Sequence, residues 1–272
     1  MERFLKLPFR FNFYEYKKIF ILGLGGGSDI ISAYAVQFLF DFSEQSKIVY
    51  GNTKREFDKD LEHITPNICR LPPKQTDTDD QSINSWTKIR IDRSIPRGYN
   101  GCPYIVHCTS DSSKVLSREI DSLGFDLVIG IDTGGDALIE GAESGPQGRD
   151  KEMVEILKRS NIPLLIFVLA PGCDGESQED QILHSFHDQD KAGKYLGSCS
   201  ITPLIPYFED LTHIISEINT PNIIKRVFYG ELAPNEMGKI LIPREKHPLI
   251  SKVWLSHCFA FGLYRKDNSY VK

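Results

Sequence analysis

Aspartate closely follows glycine in three similar segments of this 272-residue chain. The three segments are GLGGGSD at residues 23–29, GIDTGGD at residues 130–136 and APGCDGE at residues 170–176. The backbone N–H groups of a glycine-rich turn at the start of a helix bind phosphate, and neighbouring carboxylates bind cations or exchange protons. These residue types therefore predict a site for a phosphorylated small molecule with acid–base groups beside it.

The first segment overlays the G-x-G-x-x-G pattern of nucleotide-binding turns, with serine in the last position. An apolar run precedes it and a helical pattern follows it, which is the context in which such a turn approaches a phosphate. We interpret Asp29 either as a cap of that helix or as an acceptor for a sugar or a base. The residues of this segment expected to contact the ligand are Gly25, Gly26, Gly27, Ser28 and Asp29.

The second segment places two carboxylates after a central strand. Ligands of open parallel sheets bind at the carboxyl ends of the strands where the strand order reverses, so the first two segments are predicted to face one crevice. Asp132 or Asp136 is then the candidate catalytic residue that activates water or a hydroxyl group. The other residues of this segment expected to contact the ligand are Thr133, Gly134 and Gly135.

The third segment adds Asp174 and Glu176 to the predicted ligand contacts. Several carboxylates in one cleft either bind a hard divalent cation such as Mg²⁺ or Mn²⁺ or raise one another's pKa. Alternatively, each acid caps its own helix, and the sequence leaves the use of a metal open. Arg149 lies in a glycine-rich stretch between the second and third segments and is predicted to pair with an anionic group of the ligand or with one of these acids.

Histidine and cysteine give weaker signals. His184 and His187 share one face of a helix with Asp188, but without a further ligand this spacing favours an exposed polar face over a metal site. Cys108 and Cys173 are candidate nucleophiles, although small buried thiols are the more common use of cysteine.

Two alternative functions remain open. The first is a dinucleotide-dependent oxidoreductase, which requires an acid after the second strand to bind ribose. The chain instead has Asn52 there, so Asn52 would contact the ribose and Arg55 an extra phosphate. The second alternative is a binding or effector module in which residues 52–101 and the C-terminal tail dock a partner protein.

The elements that position these residues follow from the hydrophobic pattern. Short apolar runs predict strands, and amphipathic or apolar stretches between them predict helices, which together indicate a Rossmann-like, doubly wound, mainly parallel sheet in a single α/β domain. Residues 52–101 are predicted to be an irregular insertion with an exposed loop at 72–81 and an edge strand or hairpin arm at 86–95, and residues 205–272 a largely helical extension. The predicted strands are 19–22, 47–50, 104–108, 126–131 and 163–169; the predicted helices are 29–42, 111–123, 150–159, 177–193, 207–218 and 221–230; and 252–264 fits either type.

The amino-acid composition restricts the classes of function that this chain can have. The chain is 40% hydrophobic and 25% charged with a net charge of −5, which is typical of globular proteins and argues against a nucleic-acid partner. The six cysteines form no CxxC pair, and the N-terminal stretch fits neither a signal peptide nor a membrane span. We therefore expect reduced thiols, a cytoplasmic location and no membrane partner.

The three segments, together with GRD at residues 148–150, resemble in order and spacing the archaeal and bacterial proteins grouped as domain of unknown function 1152. The resemblance extends over about residues 18–200. It implies a Rossmann-like α/β fold and assigns no activity. The residues themselves favour binding of a nucleotide or nucleotide-sugar, with transferase or hydrolase chemistry if the protein is an enzyme.

Overall fold

The computed structural model of the chain describes residues 2–9, 11–25, 28–55, 61–71, 103–109, 112–139, 148–212, 219–243 and 249–264. The strands are β1 (Lys18–Gly23), β2 (Lys47–Lys54), β3 (Glu62–Thr65), β4 (Ile68–Arg70), β5 (Tyr104–His107), β6 (Leu127–Thr133), β7 (Leu164–Leu169), β8 (Tyr195–Ser200), β9 (Lys239–Leu241), β10 (Leu249–Ser251) and β11 (His257–Tyr264). The helices are α1 (Glu2–Lys6), α2 (Asp29–Val36), α3 (Leu116–Ser122), α4 (Gly148–Leu157), α5 (Glu179–Lys191), α6 (Ile205–Thr212), α7 (Thr220–Phe228) and α8 (Lys252–Leu255).

Nine of these strands form one sheet in the order β3-β4-β5-β2-β1-β6-β7-β11-β8. The five central strands, from β5 to β7, are parallel. Numbered along the chain, these five stand in the order 3-2-1-4-5, so the strand order reverses between β1 and β6. This is the strand order of the Rossmann-like fold, and the predicted fold class is confirmed.

The apolar runs form the centre of the sheet. Strands β6 and β7 are buried at every residue, and β1 is buried at every residue after Lys18. Their sequences KIFILG, LVIGIDT and LLIFVL have the nearly continuous apolar character of strands covered on both faces. Helix α2 packs on β1, β2 and β6. The carboxyl ends of the central strands are therefore held by a well-packed core.

The edges of the sheet were not predicted. Within the segment expected to be irregular, β3 and β4 form an antiparallel hairpin that pairs with β5. At the other edge, β11 lies antiparallel between β7 and β8, so the C-terminal segment is part of the main sheet. The ambiguous stretch 252–264 is both helix and strand, since it contains α8 and then β11. The predicted loop at 72–81 and edge strand at 86–95 lie outside the described residues.

Several helix bounds also differ from the prediction. Helix α2 ends at Val36 and continues only as a 3₁₀ turn over Gln37–Leu39, and α3 begins at Leu116 after a 3₁₀ turn over Ser112–Lys114. Among the described residues, no helix combines the length and the apolar character that crossing a membrane requires.

Candidate functional site

The carboxyl ends of three neighbouring strands, β1, β6 and β7, lie side by side on the same side of the sheet. The N–H of Leu24, just after β1, donates to the carbonyl oxygen of Ile131 in β6 at 2.9 Å. The N–H of Gly134, just after β6, donates to that of Leu169 in β7 at 3.1 Å. The glycine segments that follow β1 and β6 therefore lie side by side where the strand order reverses, as the sequence predicts.

The turn after β1 is occupied by a carboxylate from the chain itself. The N–H of Gly25 donates to Asp29 Oδ2 at 2.7 Å. A Cβ added at Gly25 would lie 2.6 Å from Asp29 Oδ2 and closer still to Asp150 Oδ2. Glycine is thus required here because two acids approach the backbone. Ser28 is buried and precedes α2 without a side-chain capping bond, and Gly26 and Gly27 lie outside the described residues.

The turn after β6 is organised by Asp132. This fully buried side chain accepts hydrogen bonds from the N–H groups of Gly135 and Ala137, both at 3.0 Å. Gly134 has a φ of 135°, and a Cβ there would collide with the carboxylate of Asp174. The second glycine segment therefore also makes room for an acid from a neighbouring loop.

Asp174 and Glu176 add two acidic side chains from the loop that follows β7. Asp174 is buried at the end of the β7 loop, and its Oδ1 accepts the N–H of Glu176 at 3.0 Å. Burial raises the pKa of Asp136, and the charges of Asp174 and Glu176 add to this effect, so both side chains lie near Asp136. The predicted convergence of acids from the second and third segments is what the structure shows.

Three carboxylates come together most closely: Asp132, Asp136 and Asp150 each offer an oxygen within 4.8 Å of the other two. All three are buried, with Asp136 and Asp150 each 7% exposed. Asp136 begins the 3₁₀ turn after β6, and Asp150 lies in the first turn of α4. Asp150 was not among the predicted site residues. The available signal was its position beside Arg149 in the GRD segment.

Burial shifts the protonation of the two acids closest to the strand ends. It raises the pKa of Asp29 to about 6, while the hydrogen bond from Gly25 and the charge of Arg149 act in the opposite direction. Burial likewise raises the pKa of Asp132 to about 8, against the hydrogen bond from Gly135. Burial therefore favours the protonated form of Asp132.

Among the residues that the structure describes, none donates a hydrogen bond to the two remaining acids of the cluster, Asp136 and Asp150. Burial, and then the charge of Asp150, raises the pKa of Asp136 well above its usual range. Burial, and then the charge of Asp29, does the same for the pKa of Asp150, which the charge of Arg149 lowers. Three buried carboxylates thus lie close together, and few positively charged side chains lie near them.

Two basic side chains lie near these acids. Arg149 Nε lies 3.9 Å from Asp150 Oδ1, and the same buried atom donates no hydrogen bond to any residue that the structure describes. Lys54 is buried at the end of β2, and its charge lowers the pKa of Asp29. Lys54 was missed because sequence reasoning considered only Asn52 and Arg55 at the end of this strand. Asn52 is fully buried, and its Oδ1 lies against the end of β1.

Thr133 and Gly135 complete the predicted residues. Thr133 is buried at the end of β6, and its hydroxyl lowers the pKa of Asp29, which places it beside the first segment. Gly135 has a φ of 101° and donates its N–H to Asp132, so it shapes the turn.

The histidine and cysteine candidates lie in other environments. His184 Nε2 is 3.3 Å from Asp188 Oδ2 on the exposed face of α5, and the ring of His187 packs on Phe4. The Cys108 thiol is buried, and burial raises its pKa to about 12, which disfavours the nucleophilic thiolate. Cys173 is also buried.

The contact of one thiol with two imidazole rings was not predicted. The buried Cys69 Sγ lies 3.4 Å from His63 Nδ1 and 3.6 Å from His107 Nε2. Cys69 and His63 are opposite each other in the hairpin of β3 and β4. Sequence reasoning missed this contact because it did not predict the hairpin.

The fold and the site define a Rossmann-like α/β protein with a cluster of buried carboxylates at its topological switch point. Residues 103–232 match the model of a family described as Protein of unknown function (DUF1152), which confirms the resemblance over this part of the chain. The match includes the second and third segments and GRD, begins after the first segment, and continues through α7. No curated protein and no solved structure matches the chain.

Proposed function

We propose that the crevice binds a phosphorylated small molecule, most simply a nucleotide or nucleotide-sugar, with a phosphate group on Arg149. The observation that supports this proposal is the buried Nε of Arg149, which donates no hydrogen bond to the described residues although the charge of Arg149 acts on Asp29 beside the strand ends. Buried donors are nearly always satisfied, so this one calls for an acceptor from outside the chain. A phosphate offers several oxygens in a geometry that the guanidinium group matches.

The acids beside Arg149 would recognise the rest of the ligand. A buried carboxylate accepts hydrogen bonds from sugar hydroxyl groups or from a ring nitrogen that bears a proton. A bare anion would be repelled by the same carboxylates, whereas a ligand with a phosphate at one end and hydroxyl groups at the other satisfies both kinds of partner. Nucleotides and sugar phosphates have this composition.

Transferase or hydrolase chemistry would use the same acids. A pKa of about 8 gives Asp132 the ability to accept or release a proton near neutral pH. Asp136 accepts no hydrogen bond from the described part of the chain, so its carboxylate is the more available of the two to contact a ligand. We propose that Asp136 contacts the reacting hydroxyl group or water and that Asp132 tunes its proton affinity.

The dinucleotide-dependent oxidoreductase is less well supported. The end of β2 has buried Asn52 and Lys54 where such a protein uses an acid to bind ribose. Docking of a partner protein stays a prediction.

The test is ligand binding by the full chain and by an Arg149→Gln variant. Thermal shift and titration calorimetry are run with adenosine triphosphate, a nucleoside diphosphate sugar, a sugar phosphate and inorganic phosphate, each with and without Mg²⁺. A ligand at 100 times its Kd stabilises the fold by about 2.7 kcal/mol, which is readily measured. Loss of a charge-assisted hydrogen bond of about 1.5–3 kcal/mol weakens binding about 10- to 150-fold.

Arg118 provides the matched control, because it is an exposed arginine on α3. Arg118→Gln removes the same charge and should leave the affinity unchanged. If no phosphorylated compound of the panel stabilises the wild-type chain, or if Arg149→Gln binds as tightly as wild type, the proposal is wrong.

A further inference from the structure

We propose that the carboxylates of Asp132, Asp136 and Asp150 form a binding site for one hard divalent cation of the class Mg²⁺, Mn²⁺ or Ca²⁺. The sequence suggested a cation only in general terms and did not include Asp150. This inference concerns the cation alone, and it stands whether or not a phosphorylated ligand binds to Arg149.

The spacing of the three carboxylates suits such an ion. One oxygen from each lies within 4.8 Å of the other two. Carboxylate oxygens bind Mg²⁺ at about 2.0–2.1 Å and Ca²⁺ at about 2.3–2.6 Å, so two oxygens on opposite sides of one ion are about 4 to 5 Å apart. Small side-chain adjustments are therefore enough to place a cation between the carboxylates.

The isolation of Asp136 is the second, independent observation. Asp136 is only 7% exposed, and its carboxylate accepts no hydrogen bond and forms no ion pair among the residues that the structure describes. A buried carboxylate with neither kind of partner is strongly unfavourable unless it is protonated or meets a cation. The oxygen that lies near Asp132 and Asp150 thus points at a space where positive charge is missing.

The neighbouring acids are arranged to share the ion. Asp132 accepts two backbone N–H groups, and a carboxylate has about four lone-pair positions, so acceptor capacity remains for a metal. The nearest basic atom to Asp150 is Arg149 Nε at 3.9 Å, and a single guanidinium group does not balance the three acids. A divalent cation supplies the charge that Arg149 does not.

The experiment uses Mn²⁺ as the probe. The full chain is stripped with EDTA, exchanged into buffer without chelator and titrated with Mn²⁺, and the free ion is measured by electron paramagnetic resonance. We expect one bound ion per chain. Binding should tighten from pH 6 to pH 8, because carboxylates bind a metal only after they have released their protons.

The variants are Asp136→Asn and a matched control, Asp41→Asn. Asp136→Asn should weaken Mn²⁺ binding at least tenfold, since even second-shell changes cost about 10- to 100-fold. Asp41 is exposed and lies between α2 and β2, so its variant should bind as wild type. Should Asp136→Asn fail to fold by circular dichroism, Asp150→Asn is measured with the same expectation.

Two results overturn the inference. The first is a wild-type chain that binds no Mn²⁺ at about 10 mM and pH 8, since oxygen-rich cation sites have Kd values of at most about 1 mM. The second is ligand variants that bind Mn²⁺ as tightly as wild type. Adenosine triphosphate binding in EDTA is measured in parallel. Retention of that binding without a Mn²⁺ site refutes only the cation, and a Mn²⁺ site without any phosphorylated ligand refutes only the proposed function.

Discussion

Without a cation, the protein should lose stability as the pH rises from 6 to 8, opposite to the behaviour of a protein whose acids are held in salt bridges. The pKa of Asp132 is about 8 in the folded chain, against 3.8 as its ordinary value. Between these two values the folded state binds a proton that the unfolded state does not. The contribution of Asp132 to stability is fully present below pH 3.8 and is lost as the pH rises through 8.

The size of the loss follows from this shift. One bound proton more in the folded state gives a slope of about −1.4 kcal/mol per pH unit. Because the slope flattens near the folded-state pKa, the contribution of Asp132 between pH 6 and pH 8 is a loss of about 2 kcal/mol. The pKa values of Asp136 and Asp150 are raised as well, so their titration adds to the loss in the same direction.

Urea denaturation in EDTA, followed by circular dichroism at fixed ionic strength, measures this dependence. The free energy of unfolding should fall by at least about 2 kcal/mol between pH 6 and pH 8, and saturating Mn²⁺ should restore it at pH 8. Asp136→Asn removes one of the repelling charges and should flatten the decline, whereas Asp41→Asn should not. A free energy that is constant or rising across this range would refute the account of buried, protonated acids.

Two further variants test the close approaches at the strand ends. Gly134→Ala places a Cβ against the Asp174 carboxylate at a φ of 135°, so it should cost clearly more than Gly193→Ala, where the φ of 67° is also positive but no atom lies within 4 Å; the control should cost about 1–2 kcal/mol in urea denaturation, and equal costs would contradict the collision. Asp29→Asn and Asp150→Asn should interact, because both carboxylates approach Gly25. Their combined effect on stability at pH 8 should differ from the sum by about 0.5–3 kcal/mol, and strict additivity would show that the two acids do not share this space.

The centre of the fold could be predicted because its strands can be recognised from their local sequence patterns. The runs that form β1, β6 and β7 are short and apolar, and a glycine lies at the end of each or within three residues after it. Rules of sheet topology then place their carboxyl ends together. The convergence of Asp132, Asp136 and Asp174 followed from this reasoning without any knowledge of contacts.

The missed elements depend on partners that are distant in sequence. Strands β3 and β4 have only 4 and 3 residues, too few for a periodic pattern. The place of β11 between β7 and β8 is a long-range antiparallel pairing, which no local pattern encodes. Asp150 was read only as the start of a helix, where an acid suits the helix dipole. Its approach to Gly25 depends on how α4 packs, which the sequence does not reveal.

The glycines at the strand ends have a different use from the one their pattern suggests. In a phosphate-binding turn, glycine lets the backbone approach the ligand. Here the N–H of Gly25 already donates to Asp29, and Gly134 gives space to Asp174. Both glycines therefore give space to acids of the chain itself. Burial favours the protonated forms of the acids in this group, so a cation that binds between them must displace their protons. Binding of a cation at this site should accordingly strengthen as the pH rises.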